Sequence, residues 1–338
     1  MKIRKLAVFG LAAAAAVSLA ACSSSTPASD NGGDGDTEGP IKLRVQSQAS
    51  IAAEPMYMCV ENGTFEEHGL DVEVVDLPDL PAATAALQAG KLELAFVPTI
   101  SALTMARQNV PITMITAADG INPAAADADL EEQRNYTSVG VYASKGSGIE
   151  DIKGLAGASI AVPELKGQPD GTITSVLHEA GVKTDGIEWL KLGFQPALDA
   201  LKADQLDAAF LVSPFSIEAD EAGLKRIMNP SVDFFPKGSA TTSWAGNTTW
   251  VEENPEAVKR FQEAMADCNA WANENIDEVK EHVIERSGLK VTLADLPQSY
   301  WPETIDAEQL TEVDGKLVAI EFFPEAIDVN TILAAPAE

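Results

Sequence analysis

Residues 86–97 read ALQAGKLELAFV, and residues 200–211 read ALKADQLDAAFL. Ala86, Leu87, Ala89, Leu92, Ala95 and Phe96 recur 114 positions later as Ala200, Leu201, Ala203, Leu206, Ala209 and Phe210. Each copy runs from the end of a helix through a tight turn into a short apolar strand. Each strand then meets a proline, Pro98 or Pro214, with a hydroxyl residue beside it, Thr99 or Ser213, where a new helix can begin. The start of a helix presents unpaired backbone N–H groups, which suit an anionic or strongly polar ligand. Two such units predict two similar lobes.

Working outward from the first copy, residues 42–45 read as a strand, 55–62 as a helix opened by Pro55, and 65–68 as a short turn. Alternation of Leu70, Val72 and Val74 with Asp71 and Glu73 predicts a half-buried strand. Helix 81–89, strand 92–97, helix 99–107 and strand 111–117 follow. This βαβαβ order predicts an α/β lobe with a largely parallel sheet and helices on both faces. Residues 119–136 break the rhythm with a polar, acidic insertion, which reads as a solvated surface loop.

The pattern restarts after residue 137, with strands at 139–143, 159–162, 187–192, 206–212 and 224–228. Helices are expected at 149–155, 171–180, 196–203 and from Pro214. Residues 234–251 look extended and rich in hydroxyls. Beyond them, Asn254 and Pro255 cap a long helix through residue 271, Asp277 caps another that ends at Gly288, and a last helix covers 307–320. This helical third lacks the strands for a sheet of its own, so it is expected to pack back on the first lobe. The chain would then cross between lobes near 136–138 and again near 234–238. That divides it into lobe I (41–137 with 236–338) and lobe II (138–235). Two crossings form a hinge, and ligands favour the crevice at the carboxyl ends of the strands.

Ahead of residue 41 the chain is of another kind. Lys2, Arg4 and Lys5 precede an apolar run over 6–21, shorter than the roughly 20 residues a membrane-spanning helix needs. The run ends in Leu19-Ala20-Ala21-Cys22, which resembles the lipobox of bacterial lipoproteins. The resemblance implies a signal peptide over 1–21, a diacylglycerol on Cys22 and a membrane held through that lipid. Residues 22–40 are rich in Gly, Ser and Asp and read as a flexible tether, with a reach of roughly 20–25 Å.

Without residues 1–21 the chain keeps 20 Lys and Arg against 52 Asp and Glu, a formal charge of −32. Such a surface repels nucleic acid, and no nucleic-acid partner is expected. Cys59 and Cys268 remain for an oxidising exterior, either joined as a disulfide or left as two separate buried thiols. His68, His178 and His282 show no ligand spacing with one another or with cysteine, so no metal site and no cofactor are expected.

Four ordered segments over residues 41–322 carry a family resemblance. Glu54-Pro55-Met56-Tyr57 with ENGTFEEHGLDVEVV (61–75) looks like the opening of solute-binding proteins for aliphatic sulfonates, taurine, nitrate and thiamine precursors. ALQAGKLELAFV resembles a further segment of that family. GIEDIKGLAGASIAV (148–162) resembles the start of its second lobe, and ENPEAVKRFQEAM (253–265) one of its helices. The resemblance implies a type II periplasmic-binding-protein fold whose two α/β lobes close over a small-molecule solute. The closed form is presented to an ABC permease and its ATPase by a monomeric, extracytoplasmic, lipid-anchored protein. No chemistry is required, and no catalytic residue is assigned.

Carried onto this chain, the family's pocket falls on Gln48, Ser50 and Glu54 after the first strand and on Thr99 and Ser101 at a helix start. On the second lobe it falls on Gln168, Asp170 and Thr172 and on Ser213 and Phe215, with Thr242 and Trp244 on the returning segment. Hydroxyls and backbone amides would hold an oxyanion, while Phe215 and Trp244 could flank an organic moiety. Each could equally serve turn or capping chemistry. No arginine lies in these segments, and a bidentate guanidinium is what would favour a sulfonate or carboxylate.

Two other readings share the architecture. Pyrimidine-precursor synthesising enzymes look similar in the first helix, but their cysteine- and histidine-rich motif is missing, as are a GxSxG elbow and a Walker loop. Glu93 and Asp207 occupy matching places in the repeat, which marks them as structural. A ligand-loaded lipoprotein addressing a membrane sensor would need the same clamshell.

Overall fold

The computed structural model describes residues 39–47, 50–77, 79–288 and 290–337. The expected signal peptide, the tether up to residue 38, the lipidation site Cys22 and the candidate ligand Gln48 lie outside the described residues.

The first sheet is built from β1 (Ile41–Ser47), β2 (Leu70–Asp76), β3 (Leu94–Pro98), β4 (Thr113–Gly120) and β10 (Ala240–Gly246), in the order β2-β1-β3-β10-β4. The second sheet is built from β5 (Gly140–Ala143), β6 (Ser159–Val162), β7 (Glu188–Lys191), β8 (Ala208–Leu211) and β9 (Lys225–Met228), in the order β7-β6-β8-β5-β9. The two orders are the same pattern, with β1 matching β6 and β3 matching β8. Each sheet is largely parallel, as the βαβαβ order predicts, with four of its five strands running the same way and one reversed. β10 runs antiparallel to β3 and β4, and β5 runs antiparallel to β8 and β9. Each is the strand with which the chain enters from the other sheet, so it arrives pointing the opposite way.

The chain therefore leaves the first sheet after Gly120, enters the second at Gly140, and returns at Ala240. The two passages are tied together: Gly238 N donates to Ile121 O at 3.1 Å, and Ile121 N donates to Ser239 O at 3.0 Å.

The repeat explains the shared geometry. α3 (Leu80–Gln88) and α6 (Phe194–Lys202) each end in a turn whose left-handed residue is Gly90 (φ 63°) or Asp204 (φ 53°), at the same place in the repeat. Glycine takes this conformation at no steric cost, and aspartate is among the few other residues that tolerate it. Glu93 and Asp207 then perform one task in two sheets. Glu93 accepts from the backbone N of Arg44 on β1 at 2.7 Å and from its guanidinium. Asp207 accepts from the backbone N and the hydroxyl of Ser159 on β6, both at 2.8 Å. Each carboxylate ties the start of one strand to its parallel neighbour.

α1 (Glu54–Glu61), α2 (Thr64–Glu67) and α10 (Pro255–Glu274) cover one face of the first sheet. Val258, Phe261, Met265, Cys268 and Ala272 form the buried stripe of α10; the first four pack with Leu43, Val45, Phe96 and Trp244, and Ala272 with Ile51, Val279 and Trp301. Each large apolar side chain buried there contributes about 1.5–3 kcal/mol. Asn254 stands at the N-cap of α10 without a side-chain capping bond, and its amide nitrogen donates to Trp250 O at 2.8 Å. α9 (Thr248–Glu253) links β10 to it. α11 (Ile276–Ser287) starts at Asn275, so Asp277 lies inside its first turn, and Gly288 closes it with φ 67°.

The opposite face carries α4 (Thr99–Arg107) and α12 (Ala307–Ala319), locked by the pair Arg107–Asp314. The C-terminal helices thus pack on the first sheet. On the second sheet, α5 (Gln168–Glu179) begins three residues earlier than the sequence pattern suggests, and α7 (Phe215–Glu221) follows β8. Gly171 of α5 lies so close to α12 that a Cβ there would meet Phe322 at 3.3 Å and Leu317 at 3.4 Å. Residues 234–251 are only partly extended: α8 (Pro230–Phe234) and α9 flank β10.

The acidic insertion is a loop only beyond residue 120. β4 runs on through Asp119 and Gly120 because β10 supplies partners, Thr242 opposite Asp119 and Ala240 opposite Gly120. Ile121 joins the hydrophobic core, and Ala125 and Gln133 are buried as well.

Candidate functional site

Strand directions decide where a site can form. β1, β3 and β4 end, and β10 begins, along one edge of the first sheet, with Thr242 facing both Pro98 and Asp119. α4 starts where β3 stops, so Thr99, Ile100 and Ser101 lie at that edge. The buried Thr99 hydroxyl donates to Ala240 O at 3.0 Å. From the second sheet, the segment between β6 and α5 comes to the same place. Glu164 accepts from Ser101 Oγ at 2.7 Å, Gln168 Oε1 accepts from Ile100 N at 3.4 Å, and Lys166 O accepts from Thr104 Oγ1 at 2.9 Å. The seam between the sheets therefore runs across the first two turns of α4.

Four of the expected residues meet here: Thr99, Ser101, Gln168 and Thr242. They are joined by three that sequence reasoning missed, Asp119, Thr241 and Glu164. Asp119 Oδ1 accepts from the hydroxyls of both Thr241 and Thr242, and its backbone N donates to Thr242 Oγ1 at 3.1 Å. Burial pushes the Asp119 carboxyl up to about 6, against the pull of the hydrogen bonds from Thr242 and Thr241. One signal for it was available: Asp119 follows the apolar strand directly, ahead of the glycine.

The other expected residues serve different tasks. Glu54 is fully buried, and both of its oxygens are engaged. Arg286 donates to them from Nε at 2.9 Å and Nη2 at 2.5 Å, and His282 Nδ1 lies 2.6 Å from Oε1. It locks α1 to α11 and leaves no free acceptor for a solute. Trp244 does not flank an organic moiety. It is buried on a central strand and packs edge-on to Phe96 and Phe261, with centroids 5.4 and 6.3 Å apart. Thr172 lies inside α5, and its hydroxyl returns to Gln168 O and Pro169 O. Asp170 accepts from the backbone N of Lys166 at 2.7 Å and of Gly167 at 2.9 Å, capping α5. Burial raises its carboxyl to about 6 despite those two bonds. Phe215 stacks on Phe194 at 5.7 Å, and Ser213 precedes a seven-residue helix, too short to offer much dipole. Ser50 precedes the turn Ile51–Ala53, with its buried hydroxyl unpaired among the described residues.

A separate groove of about 370 Å³ runs along α5, lined by Leu165, Lys166, Asp170, Trp189, Ile320 and Phe322 among others. Of the expected residues, only Asp170 reaches it.

A stability measurement tests the environment of Asp119. Its folded pKa lies above the ordinary value of 3.8, so the folded state holds that proton more tightly than the unfolded chain does. Its contribution is full below pH 3.8 and is lost as pH rises through about 6. Asp119→Asn, which stands in for the protonated acid, is expected to melt higher than the parent protein at pH 8. At pH 4 the gain should shrink away. A variant that melts lower at both values would contradict the assignment.

The sequence profile of the NMT1-like family matches residues 37–288. A Bacillus subtilis protein named for aliphatic-sulfonate binding is 27% identical over 310 residues, covering 88% of this chain and 86% of the relative. Among solved structures, the periplasmic aliphatic sulphonate binding protein SsuA from Escherichia coli superposes with a TM-score of 0.67 at 14% identity. The match covers 88% of this chain and 98% of that one. The periplasmic nitrate-binding protein NrtA from Synechocystis PCC 6803 gives 0.67 at 14% identity, over 87% and 86% of the two chains. Both structures share the periplasmic binding-protein fold, and at these identities they speak to fold alone.

Proposed function

We propose, from the premise that this chain belongs to the NMT1-like family, that it is the extracytoplasmic solute-binding component of an ABC import system. Its task is to clamp a small polar organic solute between lobe I (41–137 with 236–338) and lobe II (138–235) and to deliver it to a permease and its ATPase. Cys22 would carry the lipid that holds the protein at the outer face of the membrane. Binding without turnover fits relatives that are named as binding proteins.

One observation carries this reading. Two sheets of the same strand order are joined by two adjacent passages, and the carboxyl ends of the first sheet's strands face a segment of the second. Two adjacent passages form a hinge that rigid lobes can close about. A solute that touches both lobes only in the closed state makes closure and binding one event.

A thermal-shift panel of sulfonates, nitrate, taurine, pyrimidines and amines tests this. A bound solute at 100 times its dissociation constant is expected to add about 2.7 kcal/mol to stability. The stabilising compound should be recovered unchanged. Product formed from it would sink the transport reading, and so would a panel in which nothing binds.

A further inference from the structure

Most carboxylates set deeply in this protein have donors assigned to them. Glu54 has Arg286 and His282, Asp314 has Arg107 and the backbone N of Ile327, Glu93 has Arg44, and Asp170 has two backbone N–H groups. Asp119 differs. Its Oδ1 takes the two threonine hydroxyls, while Oδ2 takes no protein donor and no lysine or arginine pairs with it among the described residues. The bond from its backbone N to Thr242 Oγ1 holds it at the strand end where the seam between the sheets begins.

The groups that could hold an oxyanion at this seam are already used. Thr99 donates its hydroxyl to Ala240 O, Ile100 N is met by Gln168 Oε1, and Ser101 donates to the carboxylate of Glu164. An oxyanion at the start of α4 would have to displace Glu164 from Ser101. A cation meets no such obstacle at Asp119, whose Oδ2 takes no protein donor among the described residues. A chain of formal charge −29 also attracts cations at long range.

We infer that the solute held in this cleft carries a protonated nitrogen head group, an amine or an amidine, and that Asp119 is the residue that selects it. The inference rests on the clamp reading and narrows it to a solute class. Hydrogen bonds from a charged donor to the free oxygen of Asp119 supply the affinity. Thr241 and Thr242 hold the carboxylate in place.

Isothermal titration of the protein with agmatine, putrescine and benzamidine, and in parallel with ethanesulfonate and nitrate, tests the class. At least one of the three cations is expected to bind in a 1:1 ratio, and neither oxyanion. Asp119→Asn should weaken that cation roughly tenfold to a hundredfold, the worth of one charge-assisted hydrogen bond. Its thermal melt at pH 8, expected at or above that of the parent, shows that the loss is not unfolding. An oxyanion bound in preference to every cation would overturn the class assignment and leave the clamp standing. No binding by any of the three cations would overturn the class assignment, and the clamp reading would then stand or fall on the thermal-shift panel. Cation affinity unchanged in Asp119→Asn would overturn the role of that residue.

Discussion

Replacing Cys59 and Cys268 together by alanine is expected to lower the free energy of unfolding by about 3–5 kcal/mol, and the variant should still fold. The two residues form a disulfide, with their Cα atoms 6.1 Å apart across a sequence separation of 209. That separation places β2 to β10, and with them the whole second sheet, inside the closed loop. A chain-entropy relation makes so long a loop worth about 5 kcal/mol, and measured values fall at or below such figures. The native state loses little packing, because α1 and α2 still meet α10 through Met56, Phe65, Phe261 and Met265. Both sulfurs are buried, at 2% and 1% exposure, so the substitution is a cleaner test than a reductant. Urea unfolding of the two proteins, with the slope compared as well as the midpoint, reads the effect. A difference under about 1 kcal/mol would show that the crosslink adds nothing to the unfolded-state constraint.

The disulfide marks a boundary of what sequence can say. Cys268 lies on the apolar stripe of its helix and Cys59 on a short helix far away, and nothing local brings them together. α4 is the opposite case. Its bounds, 99–107, follow from the proline and threonine after an apolar strand, because a helix start is written in adjacent residues. The repeat was legible for the same reason, and it carried the two-sheet plan with it. The one reversed strand in each sheet was not, since the antiparallel entry of β10 and β5 depends on where the chain has come from. The site suffered in proportion. Thr99 and Ser101 follow from the helix start. Asp119 needs β10 to extend β4 past the apolar run, and Glu164 needs the seam between two sheets. Trp244 looks like a binding aromatic in a hydroxyl-rich stretch, and only its place in the middle of a five-stranded sheet makes it core.

Glu54 is the clearest example of a polar residue whose partners lie out of reach of any motif, and its removal is expected to cost about 2–4 kcal/mol. Its carboxylate is fully buried, and it binds Arg286 and His282 from the opposite end of the chain. Breaking a buried ion pair by removing one partner costs about 3–5 kcal/mol, because the other charge is left uncompensated. Here Arg286 and His282 keep 19% of their side-chain surface exposed, so water relieves part of that penalty. Arg286 also lies over the ring of Tyr57, 3.7 Å from the centroid, and keeps that contact. Glu54→Gln is therefore expected to fall short of the full figure, and Glu54→Gln combined with Arg286→Met should recover part of the loss. The same cluster sets a pH dependence. Burial lowers the pKa of His282, but the hydrogen bonds to Glu61 and Glu54 outweigh it, since each ring nitrogen faces a carboxylate, and the net shift is upward. A folded pKa above the unfolded one contributes stability that is whole below pH 6.5 and is lost as pH rises through the folded value. The stability difference between the parent and His282→Gln should therefore be largest near pH 6 and shrink towards pH 9. Urea midpoints across that range read it directly. A difference that stays constant, or that grows with pH, would mean that His282 is held neutral between the two glutamates and that the buried Glu54 relies on Arg286 alone.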